Sequence, residues 1–288
     1  MLYRDFATVE AIDAEYNLGV RVPENAEFTD RWARESAAAR DSLDCTLGLR
    51  FGPTNQEYLD IFPAGGASDQ PSPVHVFIHG GYWRRFTARE FSFIAPTLVA
   101  AGVTVVVVNY ALCPFVSIDE IVRQSRAALA WTHDHIADHG GDPSRITVSG
   151  HSAGGHLTAM LLATDWTADY GRPADLIKGA CPISGLYDLA PMQYTFIQAS
   201  VQLNGDSVAR LSPIHFIPAT APKISIAVGG AETDEFVRQS RDYHEVWCAA
   251  GLDAELLVIE NRHHFDILDG FQDTESALFH TVMSLTSR

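Results

Sequence analysis

The stretch Val148-Ser149-Gly150-His151-Ser152-Ala153-Gly154-Gly155 decides how this chain is read. It carries the pattern G-x-S-x-G. The apolar run Ile146-Thr147-Val148 leads into it, and His156-Leu157-Thr158-Ala159-Met160-Leu161-Leu162 follows. That context is strand, tight turn, helix. Such a turn forces its middle residue into a strained backbone and lifts the hydroxyl clear of the sheet. The flanking glycines let two backbones pass where a Cβ would clash. Ser152 is thereby a candidate nucleophile. The plain alternative is a glycine-rich strand-to-helix turn with no chemistry.

Outward from this turn, strands and helices alternate. Val74 to Ile78 and Val103 to Tyr110 read as buried strands, separated by a helical stretch from Arg89 to Ala101 that stops at Gly102. Ile118 to His139 is a helix with an apolar stripe at Ile118, Val122, Leu129 and Ile136, ending at Gly140-Gly141. Leu176 to Ile183, Ile224 to Val228 and Ala254 to Ile259 are further strands. Asp234 to Ala250 and Asp266 to Ser284 are the late helices. This alternation predicts an α/β fold with a mostly parallel sheet covered on both faces. Two short runs, Cys45 to Phe51 and Tyr58 to Phe62, are joined through the turn Gly52-Pro53-Thr54-Asn55 and should pair at one edge. Residues 64–73 form a loop. A single domain is expected over 1–288, with a helical N-terminal arm over 1–43 and an excursion over 190–222 that could roof a pocket or pack in the core.

The chain has 288 residues, 20 basic and 36 acidic, for a formal charge of −16. That balance argues against nucleic acid or an anionic membrane as partner. Phe91 to Ile118 carries no charge, but Pro96, Gly102, Asn109 and Pro114 break it, so it is no membrane span. Met1 to Phe6 has neither a basic nor an apolar segment of a signal peptide. Cys45, Cys113, Cys181 and Cys248 form no metal or redox spacing, and reduced buried thiols are expected. The expectation is a soluble cytoplasmic protein acting on a small molecule, with a homodimer left open.

A serine hydroxyl needs a base, an acid to orient that base, and donors for the oxyanion. In such sheets these lie at the C-terminal ends of strands. Val74 to Ile78 runs into His79-Gly80-Gly81-Tyr82-Trp83, so the Gly81 and Tyr82 amides are candidate donors, with the Ala153 amide after the nucleophile. After the last strand stand His263 and His264. His264 precedes the apolar start of the last helix and is the preferred base, with His263 as alternative. After Val228, Glu232 sits on the loop, while Thr233 reads as an N-cap. Asp234 and Glu235 then fall in the first helical turn, where acids have a structural reason to be. Glu232 is therefore preferred as the acid over Asp234. His79, His151 and His156 are expected to shape or pack the turns.

The order Ser152, Glu232, His264 is that of the α/β-hydrolase sheet. The chain resembles the α/β-hydrolase superfamily, and within it the kynurenine formamidase (arylformamidase) and small carboxylesterase branch. His79-Gly80-Gly81-Tyr82-Trp83 resembles its HGGxW box, and Asn109-Tyr110-Ala111-Leu112-Cys113-Pro114 its N-Y-R-L-x-P strand end. Ser184-Gly185-Leu186-Tyr187-Asp188-Leu189, Glu232 to Phe236 with Gln239-Ser240, His264-Phe265-Asp266-Ile267 and Glu15-Tyr16-Asn17 resemble further family stretches. Ala111 departs from the usual arginine, and Glu232 from the usual aspartate. The resemblance implies a serine hydrolase that needs no metal or organic cofactor. Its substrate would be a small ester, or alternatively N-formylkynurenine. A lyase or a binding protein on the same sheet are the other readings. Trp83 and Tyr187 are expected pocket walls. Tyr82 and Phe86 could stack a ring, and Arg84 or Arg85 could meet a carboxylate, or these side chains pack and face solvent.

Overall fold

The computed structural model describes residues 1–65 and 70–287. The part of the expected 64–73 loop over 66–69 lies outside the described residues. Eight strands form one sheet in the order β1-β2-β4-β3-β5-β6-β7-β8. They are β1 (Thr46–Arg50), β2 (Tyr58–Phe62), β3 (Ser72–Ile78), β4 (Thr104–Val108), β5 (Gly141–His151), β6 (Ile177–Ile183), β7 (Lys223–Gly229) and β8 (Ala254–Ile259). β1 pairs antiparallel with β2, and β2 with β4; all later neighbours are parallel. This is the mostly parallel α/β sheet expected from the alternation, and the α/β-hydrolase fold that the resemblance implies. The chain passes from β3 to β4 on one side of β3, then to β5 on the other. The ends of β3 and β5 thus flank a topological switch point, where such sheets open a crevice.

Alternation along each strand divides the core. Val76, Val106 and Val148 face one apolar cluster. Phe77, Val105 and Val107 face the other. β4 is fully buried along its length, which suits its β-branched Thr-Val-Val-Val-Val sequence. The chain opens with α1 (Val9–Tyr16), α2 (Leu18–Arg21) and α3 (Asn25–Ser42). Between β3 and β4 lies α4 (Ala95–Ala100), and between β4 and β5 lies α5 (Ile118–His135). α6 (Ala153–Leu162) follows β5, then α7 (Trp166–Tyr170), α8 (Gln198–Val201), α9 (Gly205–Leu211), α10 (Asp234–Ala249) and α11 (Ala277–Thr286). α5, α6 and α10 cover the first face together with α1. α3, α4 and α11 cover the second.

Three helices differ from expectation. The stretch from 89 to 101 is two 3₁₀ turns, Ala88–Glu90 and Ser92–Ile94, before α4 starts at Ala95 with Pro96 behind it. Proline suits the first turn of a helix and not its interior, so α4 begins there. The stretch from 266 to 284 is a 3₁₀ turn, Asp266–Phe271, and then α11, whose N-cap Ser276 accepts from the Phe279 N–H. α5 tightens to 3₁₀ at Ile136–His139 and ends at Gly140 with φ 77°. The excursion over 190–222 is a 3₁₀ turn, α8, α9 and a second 3₁₀ turn. Among the described residues no helix is long and apolar enough to cross a membrane. The four cysteines are free; Cys113 and Cys181 are buried as expected, whereas Cys248 is exposed.

The N-terminal arm is locked to the body by polar contacts. The Tyr16 hydroxyl donates to Glu235 Oε2 at 2.7 Å and accepts from Gln239 Nε2 at 2.9 Å. Thr233 holds the N-cap position of α10, but its hydroxyl does not cap that helix; it donates to the Glu15 carbonyl at 2.8 Å. The cap comes instead from the arm: Glu15 Oε2 accepts from the Glu235 N–H at 3.2 Å. Glu235, expected as a first-turn acid, is also ion-paired with Arg238 at 2.6 Å.

Candidate active site

β5 ends in the turn that carries Ser152, whose backbone sits at φ 57° and ψ −117°. A non-glycine residue rarely adopts that region, and it is held only because its surroundings over-determine it. A Cβ on Gly154 would lie 2.0 Å from the Ile78 carbonyl oxygen, so only glycine lets β3 and α6 meet this closely. The Ser152 N–H donates to the Ile183 carbonyl at 2.8 Å, tying the turn to the end of β6. Ala153 opens α6, where the first amides have no partner inside the helix.

The ends of β7 and β8 bring Glu232 and His264 together. His264 Nδ1 lies 2.6 Å from Glu232 Oε2, with both side chains almost wholly buried. The other carboxylate oxygen accepts from the Ser184 hydroxyl at 2.5 Å and the Gly229 N–H at 2.8 Å. This fixes the imidazole and leaves Nε2 as the nitrogen available for proton transfer. The competing candidates stand elsewhere. Asp234 is exposed at the start of α10. His263 turns its Nδ1 to the Phe265 and Asp266 amides. Ser152 and His264 line the same cavity, with no direct hydrogen bond between their side chains among the described residues. Such bonds are often long before substrate binds.

His151, inside the elbow, has its Nε2 2.8 Å from the His264 carbonyl oxygen. Burial, and then the neighbouring His264, hold its pKa well below 6.5. The neutral ring therefore donates from Nε2 and clamps the His264 loop onto the elbow.

The loop after β3 holds Gly81 at φ 108°, Tyr82 at 51°, Trp83 at 57° and Phe86 at 71°. Its shape is set from beneath. The His79 ring stacks on Tyr110 at 4.1 Å, and the Tyr110 hydroxyl donates to the His79 carbonyl at 2.9 Å. The Gly81 carbonyl accepts from both the Arg84 and Arg85 amides at 3.1 Å. The Gly81 and Tyr82 N–H groups, by contrast, donate to no protein acceptor among the described residues. A Cβ on Gly80 would come within 3.1 Å of Ser152 Cβ, so the loop and the elbow are in contact.

Above Ser152 lies a cavity of about 250 Å³, walled by His151, His264, Gly80 and Gly81. Its remaining walls come from the loop residues Tyr82 to Phe86 other than Trp83, from Asn17 to Gly19, Asn25, Thr29 and Trp32 of the arm, from Phe91 and Phe265, and from Phe196 of the excursion. Two expected walls are corrected. Trp83 is fully buried away from the cavity, with its Nε1–H directed at His156 Nδ1 at 3.3 Å and its ring edge-on to that histidine. Tyr187 is fully buried against Tyr243, with ring centroids 4.2 Å apart. Aromatic character alone did not separate core from wall. Unforeseen were Ser184 and Trp32; Phe196 lines the cavity from the excursion over 190–222. Ser184 stands one residue after β6, a strand-end position that was itself a signal. Trp32 carried none, because it reaches the site only through tertiary packing. Among the described residues, no group of three or more His, Cys, Asp or Glu is placed to hold a metal ion.

The fold and this arrangement define a hydrolase of the α/β-hydrolase superfamily. The BD-FAE family model matches residues 59–246, and the chain belongs to that family. It is similar to the kynurenine formamidase of Danio rerio, with 30% identity over 87% of this chain and 85% of that protein. Esterase LipQ of Mycobacterium tuberculosis is 30% identical over 77% of this chain, which spans 58% of that protein. A solved candidate thioesterase from Silicibacter sp. TM1040 superimposes with a TM-score of 0.83 at 29% identity, covering 94% of this chain and 98% of that one.

Proposed function

We propose that the protein is a serine hydrolase that cleaves a small carboxylic ester through a covalent acyl-Ser152. One observation carries this reading: Glu232 Oε2 lies 2.6 Å from His264 Nδ1, and His264 shares its cavity with a serine on a strained elbow. Glu232 orients the imidazole and stabilises its protonated form. Nε2 takes the Ser152 proton as Oγ attacks the carbonyl carbon. The Gly81, Tyr82 and Ala153 amides hold the resulting oxyanion. His264 protonates the leaving alcohol, then activates the water that releases the acid. The scheme calls on no metal or organic cofactor.

A second reading is hydrolysis of N-formylkynurenine, in which the leaving group is an aromatic amine. It is favoured by the likeness to the Danio rerio kynurenine formamidase along most of both chains. The aromatic walls Trp32, Tyr82, Phe86, Phe91, Phe196 and Phe265 support it too. Turnover of p-nitrophenyl acetate and of N-formylkynurenine separates the two. Strong preference for the ester supports the esterase, and strong preference for the formamide the formamidase. In either case Ser152→Ala should lower kcat on the order of 10⁶-fold. Unchanged turnover in that variant rejects both.

A further inference from the structure

One segment that stands out in the sequence, Glu15-Tyr16-Asn17 of the arm, takes no part in the proposed chemistry. Tyr16 is fully buried, and both of its polar ends are occupied. Its carbonyl accepts from the Tyr82 hydroxyl at 2.7 Å. Its own hydroxyl donates to Glu235 Oε2 at 2.7 Å and accepts from Gln239 Nε2 at 2.9 Å. A single arm residue thus joins the loop after β3 to α10.

Both ends lead on to groups with roles in the reaction. Glu235 opens α10 just after Glu232, and Glu15 holds that opening through the Glu235 N–H and the Thr233 hydroxyl. Gln239 Oε1 accepts from the Tyr187 and Asp188 amides at 2.7 and 2.9 Å. Those amides belong to the segment that follows Ser184, whose hydroxyl donates to Glu232. On the other side, Tyr82 stands at φ 51°. A non-glycine residue leaves that region unless its surroundings hold it there. Its N–H donates to no protein acceptor among the described residues, so the amide does not hold it. The side chain does. The ring meets Phe196 edge-on at 5.9 Å, and the hydroxyl meets the Tyr16 carbonyl. Burial keeps the phenol pKa well above 10, so the hydroxyl stays a donor across the working pH range.

We propose that Tyr16 is a positioning residue for the oxyanion donors: its carbonyl, anchored to α10 by its own hydroxyl, fixes the Tyr82 side chain and with it the direction of the Tyr82 N–H. The proposal rests on the serine-hydrolase reading. A donor aimed in advance stabilises charge that develops in the transition state and adds little to ground-state binding. Loss of aim therefore lowers kcat and spares KM.

Tyr82→Phe keeps the ring and removes the bond to Tyr16. On p-nitrophenyl acetate or N-formylkynurenine, whichever is turned over faster, it should lower kcat roughly ten- to hundredfold with KM within about twofold, since deleting an oxyanion donor outright costs about 10²–10³. 2,2,2-Trifluoroacetophenone gives a second readout. Ser152 Oγ adds to its carbonyl carbon, the proton passes to His264, and the carbonyl oxygen becomes an oxyanion facing the same donors. Its affinity should fall by the same factor as kcat/KM. Tyr16→Phe keeps the carbonyl but frees it from α10, so kcat should fall in the same direction. The double variant should then lose less than the product of the two single losses. A merely structural bond would lower Tm and leave kcat and inhibitor affinity unchanged, and a substrate contact would raise KM instead. Either result overturns the proposal, as does a double variant whose loss equals the product. If Tyr16→Phe fails to fold, Tyr82→Phe decides alone. A wild-type protein with neither turnover nor hemiketal overturns the hydrolase reading and this inference with it. An active wild type with an unchanged Tyr82→Phe variant overturns the inference alone.

Discussion

At the scale of single residues, the arrangement separates side chains of the same type by their partners. Glu232 and Asp234 are two positions apart, yet one is buried against His264 and the other is exposed at the start of α10. Glu232→Gln should keep the fold but present the wrong hydrogen-bonding group to Nδ1, lowering kcat on the order of 10⁴-fold. Asp234→Asn should change kcat less than about twofold; steady-state kinetics on the better substrate compares the two. The sequence favoured Glu232 because it lay on the loop before the helix had begun. The same reasoning had no means of placing Trp83 or Tyr187. An aromatic residue near a motif has equal reason to fill the core or to face a ligand, and only the third dimension distinguishes them. Ser184 shows the opposite case, a strand-end serine whose position was readable and whose partner was not.

At the scale of elements, the strand ends do the positioning. The elbow after β5, the loop after β3 and the loops after β7 and β8 converge because a parallel sheet sends all its C-terminal ends to one side. All eight strands were legible, since buried β-branched runs and their turns are local signals. The breaks at Ala95 and Ser276 were less so, because the expected helices were drawn through Pro96, which suits only the first turn of a helix, and through Gly270. The arm reads locally as helical. Its role as a cavity wall depends on contacts far along the chain, such as the Tyr16 hydroxyl with Glu235 and Gln239. Trp32 of α3 is almost fully buried and stacks on Phe93 with centroids 5.8 Å apart. Trp32→Ala should cost about 3–5 kcal/mol in a urea unfolding titration. It should also raise KM, because the same side chain lines the cavity. A stability loss with KM unchanged would separate the arm from substrate binding.

At the scale of the whole molecule, buried histidines set the acid limit of stability. Burial lowers His75 to about 3, and His79 and His156 to about 4, and it holds His151 well below 6.5. In the unfolded chain each titrates near 6.5. Below that pH the unfolded state binds protons that the folded state refuses, so stability is full above 6.5 and falls as pH drops toward 4. Each group contributes up to about 1.4 kcal/mol per pH unit in that window. Thermal melts from pH 7.5 to 4.5 should show Tm falling below about 6.5, while a flat profile would mean that these rings are protonated in the folded protein. The proposed chemistry converges on one atom, the Ser152 hydroxyl oxygen. Intact-mass and peptide mass spectrometry after treatment with a fluorophosphonate tests it most directly. A single adduct on Ser152, formed with loss of activity and strongly slowed in His264→Ala, is the expected result. No adduct on Ser152 at concentrations that label serine hydrolases, or full activity after labelling, would contradict it.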